Sequence, residues 1–322
     1  MVLVGVDVSK NTLDLFVKPC SFGMTITNSL EGYRQWWAEM RKVATADAGL
    51  LVIMEHTGLY SAKFEEFLRK MSVGYCKIPA TEIKRSVGMV RGKNDKIDAE
   101  RIAGYGWLRR DTLKADEPVS KAIEELKTWL SLRVKLVRER AGYLSRIREM
   151  KSAGCTIGMD QQKKVMACLD QQIKKTDADI KAHIKAHTEL QTTHDLLVSV
   201  KGVGVIVAAY MICSTHNFTR FNDARKFNCF AGIAPFTHQS GTSIKGKARV
   251  SHLANKDIKV LLNLAAFCAV RCDEELKTYY RRKVEEGKAK MSCINAVRAK
   301  LVARMFAVVK RETPFIPLVT AA

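Results

Sequence analysis

Two short apolar runs, each ending near an acidic residue, most constrain how this chain can fold. The run at residues 2–8, VLVGVDV, carries Asp7 near its end, and the run at residues 50–57, LLVIMEHT, carries Glu55. Runs of this length and composition are typical of buried strands. If the two strands are neighbours, both carboxylates meet at one edge of the sheet.

The segments around these runs predict a mixed α/β domain over residues 1–112. Further strands are expected at TLDLFVK, GMTITNS and GYCKI, and helices at about 31–44, 59–70 and 95–109. The order is three strands, helix, strand, helix, strand, helix, and such an alternation is typical of a sheet covered by helices.

The middle of the chain, residues 113–193, is helical in pattern and highly charged. Leu130, Val137 and Leu144 recur every seven residues, which predicts a short coiled coil. The stretch SAGCTIG interrupts this pattern, and a second helix is expected from about 161 to 187. We interpret the segment as a helical hairpin that serves as a spacer or an oligomerisation element.

The remaining residues, 194–322, are predicted to be mainly helical. The motif KGVG contains Lys201, Gly202 and Gly204 between two apolar segments, and it resembles a helix-hairpin-helix turn. Such a turn offers backbone N–H groups at a helix N-terminus to a phosphate. An ordinary glycine turn between packed helices accounts for the same pattern.

A polar stretch, THQSGTSIKGKARV at 237–250, is expected to form a loop. It surrounds Ser240 with the basic residues Lys245, Lys247 and Arg249. These cations are suited to bind the phosphates of a polyanionic partner. The alternative is a polar turn that contains ordinary serines.

The charge of the chain indicates a polyanionic partner. The formal net charge is +21, and residues 194–322 hold 21 basic and 9 acidic side chains, a net +12. An excess of this size favours nucleic acid, and the C-terminal part is the stronger candidate for phosphate contacts. A soluble protein that is merely basic is the alternative.

Neither a membrane span nor a disulfide framework is expected. No apolar run reaches 18 residues, and the nine cysteines are scattered without a CxxC pair. Dispersed cysteines in odd number fit reduced thiols, so a cytoplasmic, nucleoid-associated location in a bacterium or archaeon is expected.

A second acidic pair lies in the basic stretch RGKNDKIDAERI. Asp95 and Asp98 are one helical turn apart, and Lys93 is among the basic residues beside them. Together with Asp7 and Glu55 they provide four hard oxygen ligands, which select Mg²⁺ or Mn²⁺. A pair of such ions stabilises both the attacking and the leaving oxygen of phosphoryl transfer. Alternatively, Asp95 and Asp98 simply begin a solvated helix, where acids are favoured.

With these motifs the chain resembles the DEDD transposases of insertion sequences, the Piv/MooV family that includes the pilin-gene invertases. The order and spacing of the motifs match over nearly the whole chain. The matching stretches are GVDVSKNTLD, MEHTGLY, GKNDKIDAERIA, KGVG, FAGIAP and SGTSIKGKARVS.

The resemblance implies a fold and a chemistry. It implies an RNase H-like (RuvC-like) N-terminal domain whose Asp7, Glu55, Asp95 and Asp98 bind Mg²⁺, and a C-terminal transposase domain whose nucleophile is Ser240. It also implies a structured guide RNA from the ends of the element, which pairs with donor and target DNA. Strand exchange between two duplexes needs four cuts, so a homo-oligomer, a dimer or tetramer, is expected.

Other reactive side chains are better explained by structure. His183 and His187 have a metal-like spacing, but no nearby carboxylate or cysteine completes a site, which favours a solvated helix face. Cys268 and Cys272 share a helical stripe with apolar residues, which favours core packing.

Four functions compete. The first is a DNA recombinase that is guided by RNA. The second is a metal-dependent, junction-resolving nuclease in which water attacks and Ser240 is idle. The third is an inactive nucleic-acid-binding protein. The fourth is an actin-like or sugar-kinase ATPase, which the net charge and the missing second phosphate loop disfavour.

Overall fold

The computed structural model describes residues 1–43, 49–56, 58–86, 95–240, 244–251 and 254–317. The chain divides into two compact units, Met1–Pro118 and Val119–Ala322. The helical middle segment belongs to the same unit as the C-terminal segment. The division into three domains remains a prediction.

The first unit is a mixed α/β fold, as predicted. Its strands are β1 (Val2–Val8), β2 (Thr12–Lys18), β3 (Phe22–Thr27), β4 (Leu50–Glu55) and β5 (Gly74–Ile78). Its helices are α1 (Leu30–Val43), α2 (Ala62–Lys70), α3 (Ala80–Ser86) and α4 (Asp95–Leu108), with a 3-10 turn at Gly58–Ser61. The sheet order is β3-β2-β1-β4-β5, with β2 antiparallel to β1 and β3, and β4 parallel to β1 and β5.

Alternate residues of β1 enter two different cores, which explains why this strand is apolar on both faces. Val4 and Val6 pack with Trp36 of α1 and Phe64 of α2 on one face of the sheet. Leu3 packs on the other face in a second core that includes residues of α3 and α4. The central strands are therefore covered by helices on both sides.

The second unit is mostly helical. Its helices are α5 (Lys121–Ser152), α6 (Met159–Ala186), α7 (Thr188–Val198), α8 (Val205–Thr215), α9 (Ala224–Phe230), α10 (Lys256–Cys272), α11 (Glu274–Glu285) and α12 (Lys290–Arg311). Two strands, β6 (Pro235–Ser240) and β7 (Ile244–Val250), form an antiparallel hairpin. One continuous core joins the base of α5 and α6 to α7 through α12.

The predicted helical hairpin is present as α5 and α6. Arg133 contacts Asp177 at 2.5 Å between nitrogen and oxygen, and Arg140 pairs with Asp170. Both partners shift by seven residues between the two pairs, so the helices are antiparallel and in heptad register. Leu130 is buried in the core, whereas Val137 is partly exposed.

The structure also bears on the membrane and disulfide expectations. Among the helices that the structure describes, none is long and apolar enough to cross a membrane. All nine cysteines are free thiols.

Candidate functional site

The acids that end β1 and β4 lie on adjacent strands and on the same face of the sheet. The parallel register pairs Val2 with Leu50 and continues to Val6 with Met54. One further step sets Asp7 beside Glu55, and both residues are half-buried. Their side chains point to the face that α4 covers, because residues two apart on a strand share a face and Leu3 and Ile53 belong to that core.

Helix α4 is held close to β1 by a glycine. A Cβ on Gly5 would collide with the backbone nitrogen of Ala103 and would lie 2.5 Å from the carbonyl oxygen of Ala99. No larger residue permits this approach of helix to strand. Further along the helix, a Cβ on Gly106 would meet the side chain of Ile53 in β4 and would lie 3.8 Å from Cδ1 of Leu3, which lies earlier in β1.

The direction of α4 follows from these contacts. Its later residues lie over the beginning of β1 and its earlier residues over Gly5, so the helix runs back along the strand. Its first turn, with Asp95 and Asp98, therefore lies toward the end of the sheet where Asp7 and Glu55 stand. The fold thus brings the backbone positions of all four predicted acids to one edge.

The side chains of this edge are described only in part. Asp98 accepts a hydrogen bond of 2.7 Å from Arg101, one turn later in α4. Among the described side chains, Asp7, Glu55 and Asp98 do not form a group whose carboxylate oxygens all lie within 4.8 Å of one another. The side chain of Asp95, and Lys93 as a whole, lie outside the described residues.

Sequence reasoning missed a fifth acid on the same face. Asp14 of β2 is the register partner of Asp7, so the two side chains project to the same side of the sheet. Asp14 is 7% exposed and accepts a hydrogen bond from Thr25 of β3. The available signal was an acid within the apolar alternation of TLDLFVK, a position that is costly unless the carboxylate has a partner.

The segment around Ser240 is a β-hairpin and not the predicted loop. Ser240 is the last residue of β6 and pairs with Ile244, the first residue of β7. Lys245, Lys247 and Arg249 follow on β7, where Arg249 is exposed. The side chains of Ser240, Lys245 and Lys247 and residues 241–243 lie outside what the structure describes. The predicted nucleophile therefore occupies the end of a hairpin that is rich in cations.

The KGVG motif connects α7 to α8. Gly202 has a φ of +93°, and a Cβ there would lie 2.6 Å from Cβ of Ala269 in α10. This glycine is therefore required for packing, as the simpler interpretation expects. Lys201 and Gly204 are exposed, and Gly204 precedes the first turn of α8 without a side-chain cap. The open N–H groups of that turn fit the predicted phosphate contact.

Comparisons with known proteins place this chain among transposases. A family model of IS110-type DEDD transposases, described as "Transposase", matches residues 4–150. A second model, described as "Transposase IS116/IS110/IS902 family", matches residues 194–281. The chain belongs to the IS110 family of transposases. Its enzyme class is accordingly that of the DNA transposases and recombinases.

Individual relatives span the chain to different extents. The "Pilin gene-inverting protein" of Moraxella bovis is 25% identical over 323 residues, which cover 97% of each chain. The protein of the same description from Moraxella lacunata is also 25% identical, with the same coverage. The "Insertion element IS110 uncharacterized 43.6 kDa protein" of Streptomyces coelicolor is 29% identical over 148 residues, 46% of this chain and 35% of that protein.

This IS110-family transposase also has two cations that the sequence did not reveal. Arg298 of α12 is 5% exposed, and its Nε has no hydrogen-bond partner. Burial lowers the pKa of Arg298. Burial, and then the charge of Arg298, lower the pKa of Lys259 in α10. Within the described residues neither cation has a carboxylate partner.

These two cations lie beside the segment that leads into the hairpin. The amine of Lys259 would lie 3.7 Å from a Cβ added to Gly232. Asn295, one turn before Arg298, donates a hydrogen bond of 2.8 Å to the carbonyl oxygen of Ile233. Residues 230–235 are the FAGIAP motif, whose proline begins β6. A desolvated pair of like charges is stabilised by an anion. No helical periodicity distinguishes such a pair from solvated basic residues.

Proposed function

We propose that this transposase cuts and rejoins DNA by phosphoryl transfer, with a metal-binding group of carboxylates and a serine nucleophile. The observation that carries the proposal is that β1, β4 and the start of α4 bring the backbone positions of Asp7, Glu55, Asp95 and Asp98 toward one edge of the sheet. The strand order β3-β2-β1-β4-β5, three antiparallel strands followed by two parallel ones, supports an RNase H-like (RuvC-like) fold for this unit.

The donors at this edge fit a hard divalent cation. Carboxylate oxygens are the ligands that Mg²⁺ and Mn²⁺ prefer. Asp7 and Asp14 stand directly opposite each other, and like charges in such a pair destabilise a sheet unless a cation offsets them. When bound, the ion supplies charge neutralisation for phosphoryl transfer. Asp7, Glu55, Asp95 and Asp98 would hold it.

Ser240 is proposed to make the covalent link. Its Oγ gives up a proton and forms a bond to phosphorus, while the bond from phosphorus to the leaving oxygen of the DNA strand breaks and that oxygen takes up a proton. The phosphoserine ester retains the bond for rejoining. Lys245, Lys247 and Arg249 on the neighbouring strand are suited to bind the phosphate, as are the buried Arg298 and the half-buried Lys259.

DNA and a guide RNA are the proposed partners. The net charge of +21 supports a large polyanionic ligand, and Lys93, Lys201, Gly202 and Gly204 are proposed to contact it. Two relatives are described as pilin gene-inverting proteins, which supports site-specific recombination. The RNA-guided mode is proposed from the family resemblance alone.

A homo-oligomer, a dimer or tetramer, is proposed as the working state. One face of α10 exposes large apolar side chains, with Val260 60%, Leu264 59% and Phe267 40% exposed. Contiguous exposed apolar residues are typical of an interface. Cys268 and Cys272 are exposed as well, so the expectation that they pack in the core is wrong. The helix turns its other face, with Leu262 and Ala266, to the core.

The proposal is tested by looking for a covalent protein–DNA adduct. Purified protein is incubated with Mg²⁺ and element-end DNA, with and without RNA transcribed from the element's flank, and is run on a denaturing gel. Wild type is compared with Ser240→Ala, Asp7→Asn and the control Ser251→Ala. An adduct that requires RNA, persists in the control and is lost in the other two variants supports the proposal.

The other outcomes separate the alternatives. If DNA is cleaved without forming an adduct, and this cleavage persists in Ser240→Ala but is lost in Asp7→Asn, the protein would be a metal-dependent, junction-resolving nuclease. Cleavage that survives Asp7→Asn would overturn the role of the carboxylates. Binding without any cleavage would leave an inactive nucleic-acid-binding protein.

A further inference from the structure

A cluster of three metal-ligating side chains lies at the base of the α5–α6 hairpin, in the second unit. Glu125 belongs to the start of α5, His183 to the end of α6, and His187 follows that helix. One ligand atom from each residue lies within 4.8 Å of the other two. The expectation that no carboxylate completes a site with the two histidines is therefore wrong. Glu125 is distant in sequence, and only the antiparallel pairing of the helices brings it there.

The hydrogen bonds of the two histidines determine which ring nitrogens are protonated. Nε2 of His183 lies 2.8 Å from the carbonyl oxygen of Ala122, and Nδ1 of His187 lies 2.8 Å from the carbonyl oxygen of His183. A carbonyl oxygen only accepts, so each of these nitrogens donates a proton. In the neutral rings this leaves the lone pairs on Nδ1 of His183 and Nε2 of His187.

This is the arrangement that metal-binding histidines adopt. One ring nitrogen is fixed by a backbone carbonyl, and the other carries the lone pair that a metal requires. The free nitrogen of His183 lies 3.8 Å from Oε2 of Glu125. In a tetrahedral site with bonds of about 2.0–2.1 Å, ligand atoms are separated by about 3.4 Å. For this pair of ligands, small side-chain rotations therefore suffice to reach that spacing.

We propose that Glu125, His183 and His187 bind a divalent transition-metal ion, Zn²⁺ in the first instance. Two imidazoles and one carboxylate are ligands for Zn²⁺ and disfavour Mg²⁺, which selects oxygen donors. This site is distinct in ligands and in unit from the carboxylates of the first unit, and it does not depend on the function proposed above.

The ion would crosslink α5 and the end of α6 at the open end of the hairpin. Farther toward the turn, α5 and α6 are joined by the ion pairs Arg133–Asp177 and Arg140–Asp170. At the base the polar link between α5 and the end of α6 is Glu125 with the two histidines. Because one ligand comes from the start of α5 and two come from the end of α6, metal binding stabilises the folded state and holds the two helices together at this end.

One neighbouring group competes with the metal. Lys121 lies 3.7 Å from Oε1 of Glu125, one turn earlier in α5, and both side chains are exposed. The lysine ammonium and the ion attract the same carboxylate. Removing this cation with Lys121→Ala is therefore expected to strengthen metal binding about two- to five-fold.

The test uses Co²⁺ as a spectroscopic probe and Zn²⁺ as a competitor. The full-length protein is stripped with a chelator and titrated with Co²⁺, and the visible absorption of the coordinated ion is followed. Zn²⁺ is then added to displace it, and Mg²⁺ is added in a parallel sample. Glu125→Gln, His183→Ala and His187→Ala are compared with wild type, and Glu124→Gln, next to Glu125 on the same helix, is the matched control.

We expect one Co²⁺ per chain in wild type and in the control, displaced by Zn²⁺ and not by Mg²⁺. Each of the three variants should bind more than about 100-fold more weakly, because loss of a ligand exceeds the effect of losing its outer-shell partner. Zn²⁺ should raise the melting temperature of wild type and of the control, and not that of the three ligand variants. Circular dichroism without metal checks that the variants fold, and the exposed Glu125 provides a substitution with little structural consequence.

Three results would overturn the proposal. The first is equal Co²⁺ binding in wild type and in all three variants. The second is the intense near-ultraviolet charge-transfer absorption of thiolate ligation, which would place the ion on cysteines, such as the exposed Cys268 and Cys272. The third is the absence of any binding at millimolar Co²⁺.

Discussion

Replacing Gly5 by alanine should disable the carboxylate site without touching any of its acids. The new Cβ would lie 2.5 Å from the carbonyl oxygen of Ala99 and 2.7 Å from Cα of Ala103, both in the backbone of α4. Backbone atoms cannot rotate away as the end of a side chain can. Helix α4 must therefore move outward by about 1 Å to reach an ordinary contact distance.

This shift has a cost in stability and a larger cost in chemistry. Overpacking of this kind destabilises a fold by about 1–3 kcal/mol. Displacement of reacting groups by about 1 Å lowers rates by roughly 100-fold. Since α4 carries Asp95 and Asp98 while β1 carries Asp7, the helix shift separates the acids. We expect Mg²⁺-dependent strand cleavage to fall by roughly 100-fold in a variant that remains folded.

Gly104→Ala in the same helix is the matched control. A Cβ on Gly104 meets no atom within 4 Å, and alanine favours a helix by about 1 kcal/mol over glycine. The control should be at least as stable as wild type and equally active. Cleavage rates at saturating Mg²⁺ and urea unfolding curves are measured for both variants. Wild-type cleavage by a folded Gly5→Ala protein would refute the packing argument.

Three further predictions concern charge. Burial raises the pKa of Glu65, but hydrogen bonds from Lys77 and Ser61 outweigh burial and hold that pKa below its usual value. Ionised Glu65 therefore stabilises the fold, fully at pH values above its pKa in the unfolded chain, and the stabilisation is lost as pH falls through its pKa in the folded protein. Lys77→Met should destabilise by up to about 3 kcal/mol at neutral pH, with a smaller deficit in acid, as urea unfolding against pH would detect. Arg298→Met should raise the free energy of unfolding by about 1–2 kcal/mol. It should also weaken DNA binding and reduce the slope of log affinity against log salt concentration by about one, the loss of one phosphate contact. In a double-mutant cycle, the losses in unfolding free energy of Arg133→Ala and Asp177→Ala should differ from additivity by about 0.5–1 kcal/mol. Strict additivity would show that this ion pair does not help to fix the register of α5 against α6.

The sheet of the first unit was largely predictable because its strands have a strong local signal. The expected runs 2–8 and 74–78 coincide with β1 and β5, and LLVIMEHT contains β4. These strands are apolar on nearly every residue and end at turns or acids. Helix α3 was missed, because one buried residue, Ile83, in seven gives almost no periodicity.

The β6–β7 hairpin was missed for a different reason. Most residues of its strands, PFTHQS and IKGKARV, are polar, basic or small, a composition that propensity assigns to a loop, and ladder hydrogen bonds form regardless of side chain. Cys268 and Cys272 were misplaced because α10 has apolar residues on two faces. Periodicity shows that a helix has an apolar face, but when there are two such faces it does not show which one packs against the core.

The candidate sites depend on which strands and helices pack together in the fold. The sequence reveals this only when the acidic residues lie at the ends of strands that are neighbours in the sheet. Asp7 and Glu55 met that condition, and their adjacency follows from the parallel register. Glu125 did not, because its proximity to His183 requires two long helices to fold back on each other. Arg298 was hidden for the same reason, since burial of a charge is decided by elements far apart in sequence.

The most direct test of the central claim is Mn²⁺ binding to the carboxylates, measured by loss of the free-ion electron paramagnetic resonance signal. It is made in a His187→Ala background so that the histidine cluster contributes nothing. Asp7→Asn and Asp98→Asn are compared with Asp111→Asn, an exposed acid of the same unit. We expect binding to fall at least tenfold in the first two variants and to be unchanged in the third. Equal Mn²⁺ affinity in all three would contradict a metal site at the ends of β1, β4 and α4.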